Sequence, residues 1–142
     1  KPCNYVLELA RHIAKQNNLK IVRICRDAYP EHSGNDVQEI LTAGPSDFVG
    51  LFARAEYVVT NSFHGTVFSV NFSKPFYSVI KSRHSTNSRL TSILQKLGLE
   101  NRIVPVDSPL PQLIDIDYTR PAEKLKNERQ YSLEYIRKAF SN

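Results

Sequence analysis

The chain has 142 residues, of which 41% are hydrophobic and 10% aromatic, and its formal net charge is +5. This length suits one domain with a substantial core, and the composition excludes a disordered chain. No apolar run reaches the roughly 20 residues of a membrane-spanning helix. The two cysteines, Cys3 and Cys25, lack CxxC or metal-site spacing, which favours a packing role in a reducing cytoplasm.

The first third of the chain predicts a helix, a strand and a loop. Apolar residues at helical spacing predict a helix over 6–17, and an apolar run predicts a buried strand over 19–25. Residues 27–44 contain proline and glycine and are interpreted as a loop with a short turn at 37–41. A short helix follows, and Ser46 is its expected N-cap.

The rest of the chain alternates between short apolar runs and helical patterns. The predicted order is strand 57–60, helix to about residue 72 capped by Asn61 or Ser62, strand 76–80, helix 89–97 closed by Gly98, strand 103–104 and helix 121–140. This alternation predicts a single domain over 1–142, a three-layer α/β/α Rossmann-like fold with a parallel sheet, whose C-terminal helical segment is 112–142. Because a helix comes first, we expect the chain to be part of a larger protein.

The positive charge is concentrated in one segment. Between residues 74 and 102 a single acid, Glu100, faces six bases: Lys74, Lys81, Arg83, Arg89, Lys96 and Arg102. The other 13 basic and 13 acidic residues cancel. Such a segment indicates an anionic partner, although a solvated basic surface gives the same pattern.

The junction at residues 57–66 is the best candidate for a functional site. A β-branched run ends at Thr60, polar residues follow, and His64 and Gly65 lie in the first turn of the next helix. A helix amino end at the carboxyl edge of a parallel sheet is suited to holding an anion. His64 is therefore a candidate proton donor to an anionic substrate, or else a partly buried structural histidine.

The neighbouring residues suggest binding roles. Ser62 lacks the surroundings of a catalytic nucleophile and is interpreted as the helix cap. Gly65 leaves room for a ligand near the backbone, and Arg83 and Arg89 are candidates for an anion clamp in the loop after a strand. No histidine, cysteine or acidic group has metal-site spacing, so no metal is expected.

The chain resembles the polysaccharide pyruvyl transferase family. The resemblance rests on residues 55–69 (AEYVVTNSFHGTVFS) and Lys74-Pro75-Phe76, and spans about residues 44–140. Smaller matches in the same order are Gly44-Pro45, Ser88-Arg89-Leu90, Leu97-Gly98-Leu99, Ile116-Asp117-Tyr118 and residues 129–135.

The resemblance implies an activity and a larger architecture. It implies the C-terminal lobe of a fold similar to GT-B glycosyltransferases, without its N-terminal lobe and its opening strand, and inactive alone. It also implies transfer of the pyruvyl group of phosphoenolpyruvate onto two hydroxyls of a saccharide acceptor, as a ketal, with no cofactor. The setting would be bacterial capsule or exopolysaccharide assembly, in the cytoplasm or at the inner face of the membrane.

The same resemblance also implies roles for individual residues. His64 would be the proton donor to, or contact for, phosphoenolpyruvate, while Ser62, Gly65 and Thr66 would supply amide donors and Arg83 or Arg89 the charge. Some family members carry an arginine where Ser62 stands, so the phosphate contact must come from another arginine. Two alternatives are a glycosyltransferase lobe for a nucleotide sugar, whose Glu-rich motif is absent, and a nucleic-acid-binding module, which lacks interleaved aromatic residues.

Overall fold

The structure is a computed structural model, and it describes residues 2–25, 34–82, 88–106 and 108–141. The helices in these ranges are α1 (Pro2–Asn17), α2 (Pro45–Arg54), α3 (Phe63–Asn71), α4 (Ser88–Lys96) and α5 (Thr119–Phe140), with a 3-10 turn at Glu100–Arg102. The strands are β1 (Ile21–Ile24), β2 (Val37–Ile40), β3 (Val58–Thr60), β4 (Phe76–Ile80) and β5 (Ile103–Pro105).

All strand pairs in the described ranges are parallel. One sheet has the order β1-β2, with Ile21 opposite Val37, and the other has the order β3-β4-β5. In the second sheet, β4 is central and all five of its residues are buried. Parallel strands joined through helices confirm the predicted α/β class.

Alternate residues of β4 face two different helix layers. Tyr77 and Val79 pack with Leu9 and Ile13 of α1 on one face of the sheet. On the other face, the core contains Phe76 and Ile80 of β4 together with residues of α2, α3 and α4: Phe52, Val70, Leu90 and Leu94. The helices therefore cover both faces, and the α/β/α layering is confirmed.

Several predicted elements differ from the observed ones. Residues 37–40 form β2 rather than a turn, because they pair with β1 over four residues. The N-cap of α2 is Gly44 rather than Ser46, because the Asp47 carboxylate accepts the Gly44 N–H at 3.1 Å. Helix α3 is buried along one side only, and Phe72 at its end is 37% exposed.

The segment between β5 and α5 is held against the sheet by buried polar side chains. Arg102 is 2% exposed, donates to Ile114 O at 2.5 Å and stacks over Tyr77 at 5.1 Å. The Tyr118 hydroxyl donates to Lys74 O.

From residue 126 onwards every described residue of α5 is exposed. Across the described ranges, no helix has both the length and the hydrophobicity that crossing a bilayer requires.

Candidate functional site

The turn between β3 and α3 is built from its own hydroxyl groups. Ser62 is the N-cap of α3, as predicted, and its Oγ accepts the Gly65 N–H at 3.2 Å. The Ser62 N–H in turn donates to Thr60 Oγ1 at 3.1 Å. Residues 60–62 thus satisfy the polar groups of the turn locally, which holds the helix start at the carboxyl end of β3.

Gly65 lets α3 lie very close to β3. The residue is buried, and a Cβ atom there would be 2.3 Å from Thr60 Oγ1. The contact with Thr60 thus gives a packing reason for the glycine, and its role in binding a ligand stays a prediction. Its missing side chain is needed for contact between the helix and the strand.

Thr66 ties α3 to the middle of the sheet. Its side chain is fully buried, donates to Ser62 O at 3.0 Å and lies 2.6 Å from Ser78 Oγ in β4. Because the Thr66 hydroxyl uses its proton on Ser62 O, Ser78 is the donor in the second bond. This side chain positions the turn and has no exposed surface for a ligand.

The amide groups of the first turn divide into paired and unpaired ones. The N–H groups of Ser62, Gly65 and Thr66 are engaged within the turn, with Thr66 N donating to Ser62 O at 3.1 Å. By contrast, the N–H groups of Phe63 and His64 have no acceptor among the described residues. The donors available to an anion are therefore those of Phe63 and His64, where the helix dipole is positive.

His64 and Arg89 both contact the Phe63 ring. The His64 ring meets Phe63 edge-on, with centroids 5.9 Å apart, and the Arg89 guanidinium lies 5.4 Å from the same ring. The titratable residue His64 and the charged residue Arg89 are both exposed. Because β3 and β4 are neighbours, the helices that follow them begin at one sheet edge, which brings these two residues together.

The basic segment does not form one continuous surface. Lys81, Arg89 and Lys96 are exposed, whereas Arg102 is buried, and Lys74 Nζ donates to Ala53 O at 2.7 Å. Arg83 lies outside the described residues. Among the described bases of this segment, Arg89 is the one in contact with the Phe63 ring beside His64.

Phe63 is the site residue that the pattern of the sequence did not single out. It is apolar, half-buried and packs against the main core, so its sequence signal was that of an ordinary core residue. Asp117, interpreted as a loop acid, accepts the Thr119 N–H at 2.9 Å. Hydrogen bonding from the Thr119 side chain, and then from this N–H, lowers the pKa of the Asp117 carboxyl group. Over the described part of the chain, no three histidine, cysteine or acidic residues lie close enough to hold a metal ion.

The fold defines the chain as an α/β protein, and at the sheet edge beside His64 two amide N–H groups have no acceptor among the described residues. A family model described as polysaccharide pyruvyl transferase matches residues 4–83, more than half of the chain. The chain therefore belongs to the polysaccharide pyruvyl transferase family, and the match contains the whole β3–α3 turn. No curated protein and no solved structure matches the chain.

Proposed function

We propose that this chain forms the donor side of an active site that transfers the pyruvyl group of phosphoenolpyruvate to a saccharide. The observation that carries the proposal is the placement of His64 and Arg89 on one aromatic ring, at the amino end of α3. A titratable ring, a guanidinium and two amide N–H groups without an acceptor among the described residues therefore lie around Phe63 at the start of α3. These are the groups that an anionic enol phosphate requires.

The proposed reaction has three stages, which are protonation, addition with loss of phosphate, and closure of the ketal ring. An acid protonates the methylene carbon of phosphoenolpyruvate, which creates a methyl group and a cationic centre at C2. A sugar hydroxyl oxygen bonds to C2 and loses its proton, and the C2–O bond to phosphate then breaks, with the electron pair leaving on phosphate. A second hydroxyl bonds to C2 and loses its proton, which closes the ketal. One released proton restores the acid and the other leaves with phosphate or solvent.

Each residue has a role in this scheme. His64 donates the first proton, and Arg89 holds the phosphate or the carboxylate. The N–H groups of Phe63 and His64 add donors, and the Ser62 hydroxyl, which already accepts from Gly65, can donate its own proton to the substrate. Gly65 and Thr66 hold the turn in shape, and Arg83 remains a second candidate for the clamp.

The acceptor and the setting belong to the proposal as well. We propose a bacterial surface polysaccharide, such as capsule or exopolysaccharide, as the product, and the cytoplasm or the inner face of the membrane as the place of reaction. No cofactor beyond the phosphoenolpyruvate donor enters the scheme. A second lobe, as in GT-B enzymes, would complete the cleft, so the chain alone would be inactive.

The test is the substitution His64→Gln in the full-length product of the gene. We expect kcat to fall by about 10²–10⁴-fold, the range of general acid catalysis, while the thermal midpoint stays unchanged. His12→Gln is the matched control, because His12 lies in the second half of α1, far along the chain from the β3–α3 turn. Turnover that survives in His64→Gln would reduce His64 to a structural residue.

A second pair of variants tests the clamp and the choice of donor. Arg89→Met should weaken phosphoenolpyruvate binding at least about tenfold, as loss of a charge-assisted contact does, whereas Lys96→Met at the other end of α4 should not. Ligand-induced thermal shifts with phosphoenolpyruvate, UDP and an oligonucleotide separate the candidate functions. A shift with UDP alone would favour a glycosyltransferase, and a shift with the oligonucleotide alone a nucleic-acid-binding protein.

A further inference from the structure

The ring of Phe63 has two kinds of neighbour. Phe63 begins α3 directly after the Ser62 cap, is half-buried and packs against the main core. The same ring also contacts two exposed residues, His64 with ring centroids 5.9 Å apart and Arg89 with its guanidinium carbon 5.4 Å from the ring centroid. Core packing alone explains an apolar side chain at position 63, but it does not explain an aromatic one.

Arg89 is anchored to the domain at its backbone and not at its charged end. It is the second residue of α4, and Leu90, which follows it, is buried in the main core. The Arg89 guanidinium forms no ion pair or hydrogen bond with a described residue. An arginine side chain without such partners samples many rotamers, and it must lose this freedom before it can hold a ligand.

The position of the Phe63 ring suits a guanidinium. A cation over the face of an aromatic ring, within about 6 Å of the centroid, is attracted by the negative charge of that face. At 5.4 Å the Arg89 guanidinium lies inside this distance. An aliphatic side chain of similar size would also pack on the core, but it would lack this attraction because it has no aromatic face.

We infer that Phe63 is a positioning residue, whose ring holds the Arg89 guanidinium in place beside His64 before the donor binds. The inference rests on the proposed function, in which Arg89 holds the phosphate or the carboxylate of phosphoenolpyruvate. It adds that Phe63 acts on the donor through Arg89, by reducing the number of conformations that the arginine loses on binding. Phe63 itself touches none of the reacting atoms in this scheme.

A trifluorinated phenylalanine analogue, incorporated at position 63 of the full-length product of the gene, tests the ring face directly. Fluorine withdraws electrons from the ring face and nearly preserves the shape of the side chain, so packing on the core is retained. We expect the Kd for phosphoenolpyruvate to rise about 2–5-fold, the factor that corresponds to one exposed contact between a cation and an aromatic ring.

The matched control is the same replacement at Phe68, which belongs to the same helix. Among the described residues, the ring contacts of Phe68 are with other phenylalanines. Fluorination at position 68 should therefore leave the Kd unchanged. Equal Kd values for the parent protein and the protein fluorinated at position 63 would overturn the inference.

A double-variant cycle shows whether Phe63 acts through Arg89. In the background of Arg89→Met, which lacks the charge, fluorination at position 63 should no longer change the Kd for phosphoenolpyruvate. An effect of the same size in both backgrounds would mean that Phe63 acts by another route, and it would overturn the inference.

NMR of the ligand-free protein separates the inference from the proposed function. A ring face beneath the guanidinium moves the side-chain proton signals of Arg89 upfield, and Phe63→Leu should remove this displacement. Arg89 signals that are the same in Phe63→Leu and in the parent would overturn the inference. A parent protein that binds no phosphoenolpyruvate would instead contradict the proposed function, and the NMR comparison would still decide whether Phe63 holds Arg89.

Discussion

At the scale of single residues, Gly65 controls how closely α3 approaches β3. We predict that Gly65→Ala lowers the free energy of unfolding by about 1–3 kcal/mol, because its Cβ would overlap Thr60 Oγ1 at 2.3 Å. Removing the overlapped atoms in Gly65→Ala/Thr60→Ala should recover part of that loss, with a coupling energy of about 1 kcal/mol. Urea unfolding of the two single variants and the double variant measures this coupling.

The matched control for Gly65 is Gly50 in the middle of α2. The nearest atom to a Cβ there is Arg54 Nη2, at 3.8 Å on a flexible side chain. Gly50→Ala should therefore raise the free energy of unfolding by about 0.5–1 kcal/mol, the usual gain in helix propensity. Equal effects at positions 50 and 65 would show that the contact with Thr60 is not tight.

Two half-buried tyrosines, Tyr57 and Tyr118, differ in whether the hydroxyl has a hydrogen-bond partner. The Tyr118 hydroxyl donates to Lys74 O, whereas the Tyr57 hydroxyl is buried without a partner among the described residues. At pH 7 we predict that Tyr118→Phe costs about 1 kcal/mol, the net value of a hydrogen bond, while Tyr57→Phe is neutral or stabilising. Equal losses in the two variants, measured by urea unfolding, would contradict this difference.

The same tyrosines predict how stability depends on alkaline pH. Burial raises the pKa of both Tyr57 and Tyr118, because it disfavours the phenolate. A group whose pKa is raised in the folded state stabilises the protein fully below its unfolded pKa, about 10 for tyrosine, and loses this contribution as the pH rises above it. Each Tyr→Phe variant should therefore lose less stability above pH 10 than the parent chain.

At the scale of elements, α5 divides into a packed start and an exposed end. Pro121 is buried and Leu125 packs against the main core, but residues 130–140 are all exposed. Deleting residues 130–142 should change the free energy of unfolding of this chain by less than about 0.5 kcal/mol, since surface residues contribute little. Leu125→Ala is the comparison, and we expect it to cost about 2 kcal/mol. A larger loss from the deletion than from Leu125→Ala would show that the end of α5 packs on the domain.

The sequence patterns correctly predicted those helices and strands that are determined by residues close together in the chain. The apolar runs predicted β3, β4 and β5, and the polar cap at Ser62 predicted the start of α3. Strand β2 was missed because its centre, Gln38-Glu39, is polar. Its pairing depends on β1 and on an ion pair between Arg23 and Glu39, which are 16 positions apart. Interactions over such separations leave no periodic signal in the sequence.

At the scale of the whole molecule, some features of the candidate site are determined by residues close together in the sequence, and others by contacts between distant elements. The position of His64 in the first turn of α3 follows from residues 57–66 alone. Its proximity to Arg89 depends on β3 lying beside β4 and on the contact of both side chains with Phe63. The contact of Gly65 with Thr60 joins residues of the same junction, but the sequence pattern did not predict how closely the helix and the strand approach there.

The separation of the two sheets predicts two levels of stability in the 142-residue chain. Strand β4 is buried along its length between β3 and β5, whereas β1 pairs on one side only and exposes Val22 and Ile24. We predict that paired amides of β1 and β2, such as Cys25 N, which donates to Ile40 O at 3.2 Å, open at least about 1–2 kcal/mol more easily than those of β4. Native-state hydrogen exchange in increasing urea measures both sets. A common opening free energy with the same urea dependence would mean that α1 alone couples the sheets into one cooperative unit.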